Sequence, residues 1–282
     1  MLEVRDQQVV HETPAREWIQ PDGLVWLQFY RARQGYLLRF PDLADFEING
    51  KELAVTCHPM AGVSGDTTRH LFLNQVVPLV LSKRGKLVFH ASAVAVDGAA
   101  AAFVADAGAG KSTLAASFAG NGFKFMCDDG LVLQEMEGGF QVMPSHPSIR
   151  LWSDSHEAVV GKRAATAPPV QDKRKVRVRA GDGIVFCDQP RPLRRVYFLG
   201  DGNSPALTLQ RLSATAAVAE WIKHAFLLDL EEKALLTSHF ERLIVLASRV
   251  ACYRLDYPRN FAALGAVRQA IVSHLCDARE AA

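Results

Sequence analysis

The chain has 282 residues, which is enough for one large domain or for two modest ones with cores of their own. Hydrophobic residues make up 49% and charged residues 22%, and 32 basic side chains balance 30 acidic ones, so nothing favours a nucleic-acid or membrane partner. The five cysteines lack metal-ligand spacing, and neither a membrane-spanning apolar run nor a signal-peptide pattern is present, so the sequence predicts a cytoplasmic protein.

Residues 1–85 predict a small β-rich region. Polar and apolar residues alternate along most of it, and Asn49 with the glycine after it indicates a hairpin. A helical pattern follows, for which Thr67 or Thr68 is the expected cap. We expect this helix to connect the region to a nucleotide-binding catalytic domain at residues 86–282.

The next segment predicts a strand–loop–helix–strand unit. Residues 86–104 predict two strands around a turn at Asp97, residues 111–122 a helix, and residues 123–127 the next strand. This order is typical of a βαβ unit, so we expect a mainly parallel sheet. A hairpin that turns at Gly138 is expected to follow.

The rest of the chain predicts a mobile loop, two strands and three helices. Residues 153–182 have little apolar pattern and are rich in charge, alanine and proline, which favours a lid that orders when nucleotide and acceptor bind. Two strands within residues 183–201 and three helices within residues 215–275 follow. These helices could also provide the surface of a homo-oligomer.

Residues 105–112, "ADAGAGKS", match the phosphate-binding pattern G-x-x-x-x-G-K-[ST] except that Ala105 replaces the first glycine. Glycines in such a loop let successive amide groups point at a phosphate, and the following helix adds its positive end. Lys111 would bind the β- and γ-phosphates of ATP, and the Ser112 hydroxyl could ligate Mg²⁺. The predicted ATP-binding residues are Ala107, Gly108, Ala109, Gly110, Lys111, Ser112 and Thr113.

Two acids, Asp128 and Asp129, follow the apolar strand that comes after this helix. One carboxylate could hold Mg²⁺, with Asp128 and Ser112 as the predicted metal residues, and the other could accept the proton of an attacking hydroxyl. The alternative is a pair of solvated acids in a turn. His90, which ends an apolar run before the loop, is either a catalytic residue or an ordinary structural histidine.

Together, "VFHASAV", "ADAGAGKS" and "FMCDD" resemble the catalytic domain of HPr serine kinase/phosphorylase. His90 precedes Lys111 by 21 residues and Asp129 follows Ser112 by 17, as in that family. The resemblance implies a P-loop kinase domain akin to phosphoenolpyruvate carboxykinase that uses ATP and Mg²⁺ to phosphorylate a serine hydroxyl. It also implies that Asp129 is the general base, Asp128 its neighbour on the Mg²⁺ side, Lys111 the phosphate clamp and His90 a supporting catalytic residue.

The sequence departs from that family beyond residue 145. Its downstream signature is represented by "PSIRLW", where Arg150 is retained and Ser148 stands in place of an acid. This segment and the basic "DKRKVRV" resemble a group of relatives from lasso-peptide clusters. That resemblance implies a peptide or small-protein acceptor with a serine hydroxyl, contacted by Arg150, Lys173 and Arg174.

Three alternatives stay open on the sequence alone. They are an HPr-type regulatory kinase, a small-molecule kinase, and a nucleotide-binding module that no longer transfers phosphate. The basic segment could equally be a solvated strand edge.

Overall fold

The computed structural model describes residues 4–20, 22–161, 166–167, 175–181 and 183–277. They form two compact units, one up to Val80 and the other from Leu81 onwards. Each unit has its own sheet structure and its own buried apolar residues, so the chain is a mixed α/β protein.

The N-terminal unit contains an antiparallel sheet whose five strands pair in chain order. They are β1 (Arg16–Ile19), β2 (Val25–Ala32), β3 (Gly35–Phe40), β4 (Ala44–Asn49) and β5 (Val55–Pro59). Alternate side chains of the central strands share one buried face, where Phe29, Leu38 and Phe46 lie opposite one another in register. The alternating sequence pattern therefore forms the strands that it predicts.

A helical segment follows β5. It consists of α1 (Gly65–Leu71), a π-helical turn (Phe72–Val76) and α2 (Val77–Lys83). The sequence pattern had indicated Thr67 or Thr68 as its cap, but neither residue caps it. Ser64 is the cap, because it has the extended backbone that an N-cap requires and its hydroxyl accepts a hydrogen bond from the Thr67 amide at 3.1 Å.

The C-terminal unit is built on a ten-stranded mixed sheet and a separate three-stranded sheet. Their strands are β6 (Leu87–Phe89), β7 (Ala91–Val96), β8 (Ala99–Val104), β9 (Lys124–Cys127), β10 (Leu131–Met136), β11 (Gly139–Met143), β12 (Ser148–Trp152), β13 (Thr166–Ala167), β14 (Lys175–Arg179), β15 (Val185–Phe186), β16 (Arg191–Leu199), β17 (Thr208–Arg211) and β18 (Ala251–Asp256). The helices are α3 (Lys111–Ala119), α4 (Ser153–Val159), α5 (Ala214–Lys223), α6 (Lys233–Arg249) and α7 (Leu264–Cys276).

Strand β7 lies between β8 and β9 and is antiparallel to both. The expectation of a mainly parallel sheet is therefore wrong, although β8, β16 and β18 are parallel neighbours and β15 is parallel to β9. The reason is the hairpin at Asp97, which places β7 beside β8 and leaves β9 to pair with the far side of β7. The carboxyl ends of β8 and β9 and the start of β7 consequently meet at one edge of the sheet.

The segment predicted as a mobile loop contains regular structure. Helix α4 and strands β13 and β14 fall within residues 153–182, and β14 pairs with both β12 and β13. Lys173 and Arg174 lie outside the described residues. The sequence pattern misses β14 because its exposed side carries charged residues that obscure the alternation with Val176 and Val178.

The ten-stranded sheet has a buried apolar layer on each face. One layer includes residues of α3 and α7 together with Phe103 and Phe125, and the other includes residues of α5 and α6 together with Phe89 and Phe198. Within the part of the chain that the structure describes, no helix combines the length and the apolar character needed to span a bilayer.

Candidate functional site

The loop between β8 and α3 contains two glycines in the left-handed backbone region and leads into the N-terminus of a helix. Gly108 and Gly110 have φ angles of 83° and 90°, which lie in the left-handed region that glycine adopts without strain. Gly110 is the N-cap of α3 and contributes no side-chain hydrogen bond to its first turn. The positive end of the helix therefore faces the loop without a side chain as its cap. Ala107 is exposed and Ala109 is half-buried beside it.

Ala105 does not conflict with this loop. Its φ lies outside the left-handed region, so its position does not require glycine. The residue is buried and packs in the same apolar layer as Leu114 of α3. The missing first glycine of the sequence pattern is thus replaced by a residue that fills the core.

Lys111 is buried at the start of α3, and its Nζ donates hydrogen bonds to the carbonyl oxygens of Ala105 at 2.7 Å and Asp106 at 2.8 Å. Burial lowers the pKa of this amine, while the charges of Asp129 and Asp128 act in the opposite direction. The ammonium group therefore holds the two ends of the loop together and places a positive charge inside it.

Asp128 follows β9 and is almost completely buried. Its Oδ1 accepts hydrogen bonds from the hydroxyls of Ser92 and Ser112, both at 2.7 Å, and its Oδ2 accepts one from the Arg150 amide at 3.0 Å. Burial and, to a lesser extent, the charge of Asp129 raise the pKa of Asp128 to about 6, against the effect of these three hydrogen bonds. Asp128 is thus a buried carboxyl group, in contact with the first turn of α3, whose pKa lies above the ordinary range of an aspartate.

Asp129 is half-buried and has a φ of 65°. The left-handed region is uncommon for residues other than glycine, and such backbone strain concentrates at functional sites. The Nδ1 of His90 donates a hydrogen bond to the Asp129 carbonyl oxygen at 3.1 Å, which places the proton of a neutral His90 on Nδ1. This contact fixes the backbone of Asp129 just before β10.

His90 is neutral at physiological pH. Burial and, to a lesser extent, the charge of Lys111 lower its pKa to about 4, while the charge of Asp129 opposes both effects. Its backbone amide donates to the His224 carbonyl at 2.8 Å, and its ring meets Phe226 edge-on. The histidine is therefore held from two sides.

The structure brings His90, Lys111, Ser112, Asp128 and Asp129 to one edge of the sheet, as the strand order requires. Thr113 lies one residue further along α3, where its hydroxyl donates to the Ser155 hydroxyl of α4 at 3.2 Å. Arg150 reaches the group through its backbone amide. The role that the sequence pattern suggested for its side chain stays a prediction.

Sequence reasoning missed Ser92. It lies two residues after His90, and both residues contact the aspartate pair. A period-two spacing at the start of a strand is the signal that could have identified it. Sequence reasoning also missed His224, whose Nδ1 lies 3.9 Å from Oδ1 of Asp106 in the loop.

The donor set at this edge fits Mg²⁺. The described residues contain no group of three or more histidine, cysteine, aspartate or glutamate side chains that could form a protein-only metal cage. Mg²⁺ is commonly held by one or two carboxylates together with phosphate oxygens and water. The Ser112 hydroxyl and the Asp128 carboxylate, which already meet each other, provide oxygen ligands of that kind beside the phosphate loop.

No protein-family model matches the sequence, and no curated protein shows significant sequence similarity to it. Among solved structures, the HPr(Ser) kinase/phosphatase from Coxiella burnetii aligns with 66% of this chain and 97% of its own, at 12% identity and a TM-score of 0.33. This similarity is too low to transfer any property of that enzyme to the present chain.

Proposed function

We propose that this protein is an ATP- and Mg²⁺-dependent kinase that phosphorylates a serine hydroxyl of a peptide or small protein. The observation that carries the proposal is the hydrogen bond from Ser112 to Asp128. It joins the first turn of the phosphate-loop helix to an adjacent pair of aspartates, which is the arrangement needed to handle a nucleotide phosphate and an attacking hydroxyl together.

The loop residues account for nucleotide binding. The backbone of Gly108 to Thr113 would receive the β- and γ-phosphates, and Lys111 would exchange its bonds to Ala105 and Asp106 for phosphate oxygens. Ser112 and Asp128 would hold Mg²⁺, which supplies charge neutralisation of the phosphate oxygens when bound. The raised pKa of Asp128 suits this role, because a nearby cation would offset the free-energy cost of the buried negative charge.

Asp129 is the proposed general base. Its carboxylate would take the proton of the acceptor serine as the serine oxygen bonds to the γ-phosphorus and the bond from that phosphorus to ADP breaks. His90 acts as a positioning residue, because its Nδ1–H holds the Asp129 backbone through the carbonyl oxygen. Phosphoryl transfer depends mainly on such positioning and on charge stabilisation.

The finer identity of the acceptor rests on sequence resemblance. The "PSIRLW" segment and the basic residues after it support a peptide acceptor, with the precursor of a lasso peptide as the specific proposal. A cytoplasmic location and a homo-oligomeric state remain predictions from the sequence.

The test is incubation of the whole protein with Mg-ATP and candidate serine peptides, read by intact mass. The proposal expects one phosphate on a peptide, which is lost in the Asp129→Asn variant and kept in Asp188→Asn, a change at an exposed aspartate after β15. Phosphate only on a small metabolite would instead identify a small-molecule kinase. Nucleotide binding without any transfer would identify a binding module.

A further inference from the structure

His224 lies beside the phosphate loop in a position that the backbone fixes. It follows α5 as the C-cap of that helix, and its carbonyl oxygen accepts a hydrogen bond from the His90 amide at 2.8 Å. The pairing continues where the Phe226 amide donates to the Val88 carbonyl oxygen at 2.9 Å. The histidine is therefore attached to the end of β6, the strand that leads into His90.

The side chain of His224 is a buried polar group without a hydrogen bond. The residue is only 8% exposed. Within the part of the chain that the structure describes, neither ring nitrogen has a hydrogen-bond partner, and neither is sealed from solvent. Its Nδ1 lies 3.9 Å from Oδ1 of Asp106, which is beyond hydrogen-bond distance. Because an unpaired buried polar group costs free energy, a ligand that accepts a hydrogen bond at this place would be favoured.

Asp106 does not account for this buried histidine. The Asp106 side chain is 94% exposed, so its carboxylate is open to water. Burial lowers the pKa of His224. The charges of Lys111 and Lys223 act in the same direction, and those of Asp106 and Glu220 oppose it. The ring is therefore mostly neutral at pH 7, and a neutral imidazole forms no ion pair with a carboxylate.

The ring lies on the side of the loop where the γ-phosphate would bind. Lys111 would hold the β- and γ-phosphates and Asp129 would take the acceptor proton, so the γ-phosphate would lie between these two residues. The charges of both residues act on His90, and so does that of His224. The charge of Lys111 also acts on His224. His224 therefore belongs to the side chains around this phosphate, whereas Thr113 faces α4.

We propose that His224 donates a hydrogen bond to the γ-phosphoryl group of bound ATP and thereby distinguishes ATP from ADP. This inference rests on the proposed kinase function and adds a substrate-binding residue to the same site. A neutral imidazole carries one N–H group, which can donate to a phosphate oxygen. ADP has no oxygen at that position, so only ATP would make the contact. The backbone pairing with His90 holds the ring in place before the nucleotide binds.

The test compares two nucleotides within each variant and needs no phosphate transfer. Calorimetry of the full chain with Mg²⁺ measures the affinity for ADP and for AMPPNP, a non-hydrolysable ATP analogue that keeps the γ-phosphate. The readout is the ratio of the AMPPNP affinity to the ADP affinity. A smaller folded fraction would lower both affinities by the same factor, so it cancels from this ratio.

Two substitutions separate the hydrogen bond from packing. His224→Phe keeps a buried ring and removes both nitrogens, whereas His224→Asn loses the ring but keeps an N–H donor close to the position of Nδ1. The ratio should fall roughly tenfold in His224→Phe, as expected for the loss of one hydrogen bond to a charged group, and less in His224→Asn. A packing role would instead make His224→Asn the more damaging change.

Two further variants are controls for charge. Lys223→Gln removes an exposed ammonium group from the residue before His224 and should leave the ratio unchanged. Asp106→Asn removes the carboxylate beside the ring but keeps the backbone carbonyl that Lys111 contacts, so it should not lower the ratio.

An unchanged ratio in His224→Phe would overturn the inference, as would a larger fall in His224→Asn than in His224→Phe. A fall of the same size in Asp106→Asn or Lys223→Gln would also overturn it, because the histidine would then not act by direct contact. If the ratio changes as expected but no serine peptide gains phosphate, the proposed kinase function fails while the γ-phosphate contact stands. Absence of nucleotide binding by the wild-type chain would refute both.

Discussion

Replacing Asp128 by asparagine should stabilise the protein in the absence of ligands, although Asp128 belongs to the candidate centre. The side chain is buried, and its pKa is raised from 3.8 to about 6. Asparagine has the same shape and can keep all three hydrogen bonds. Its carbonyl oxygen can accept from the Arg150 amide, and its amide group can donate to the Ser92 and Ser112 oxygens, since hydroxyls also accept.

The size of the effect follows from the pKa of Asp128. One pH unit corresponds to about 1.4 kcal/mol, so the displacement from 3.8 to about 6 is equivalent to roughly 3 kcal/mol. Below pH 4 the aspartate is neutral in both the folded and the unfolded chain. As the pH rises from 4 to 6, the unfolded chain loses this proton while the folded chain keeps it, so the free energy of unfolding falls across that window. The full loss remains at higher pH.

The asparagine variant has no proton to lose and should avoid this destabilisation. The free energy of unfolding of the variant should equal that of wild type near pH 4, exceed it increasingly up to pH 6, and exceed it by roughly 3 kcal/mol at pH 8. Chemical denaturation at a series of pH values measures it, and histidine effects common to both proteins cancel in the difference. Asp188→Asn, at an exposed site, is the control.

With Mg-ATP bound, wild type should instead be more stable than Asp128→Asn. A ligand that binds only the folded state stabilises it, so wild type should gain more than Asp128→Asn, which lacks the carboxylate for Mg²⁺. Asp128→Asn should also need a higher Mg²⁺ concentration for transfer. The reasoning fails if the variant without ligand is no more stable than wild type at pH 8. It also fails if the difference in free energy of unfolding does not change between pH 4 and 7, because ionisation of the buried Asp128 would then not destabilise the fold.

Three further variants test the roles of single residues. Lys111→Ala should weaken nucleotide binding, measured by calorimetry, and remove transfer. It should lower stability by about 1–2 kcal/mol, because two loop carbonyls lose their donor, and unchanged ATP affinity would refute the site. Asp129→Asn should keep ATP affinity and slow single-turnover transfer by roughly 10²–10⁴-fold. A normal rate would mean that another residue is the general base. His90→Ala should lower kcat with little change in the KM for ATP. His90→Asn, whose amide can donate to the Asp129 carbonyl, should restore kcat, and an equal loss of kcat in both variants would exclude the positioning role.

Local sequence patterns predicted most of the elements around the site. The strand–loop–helix order, the turn at Asp97 and the hairpin at Gly138 are confirmed, because each depends on short-range features such as apolar periodicity and glycine. Strands β17 and β18 were missed, since each is short and lies beside a strongly helical segment. Strand order was also missed, because the pairing of β9 with β7 depends on contacts far apart in sequence.

The sequence by itself determined the chemistry available to this protein. The glycines at 108 and 110, the amine of Lys111 and the carboxylates of Asp128 and Asp129 are fixed by residue type and spacing, and they predict a phosphate site with an acidic partner. Only the tertiary structure decided how they meet. Three chain segments converge because β7 runs antiparallel between β8 and β9, and this arrangement places the Ser92 and Ser112 hydroxyls and the Arg150 amide on one buried carboxylate. Burial and hydrogen bonding of that kind depend on packing between distant segments, so a local pattern cannot reveal them.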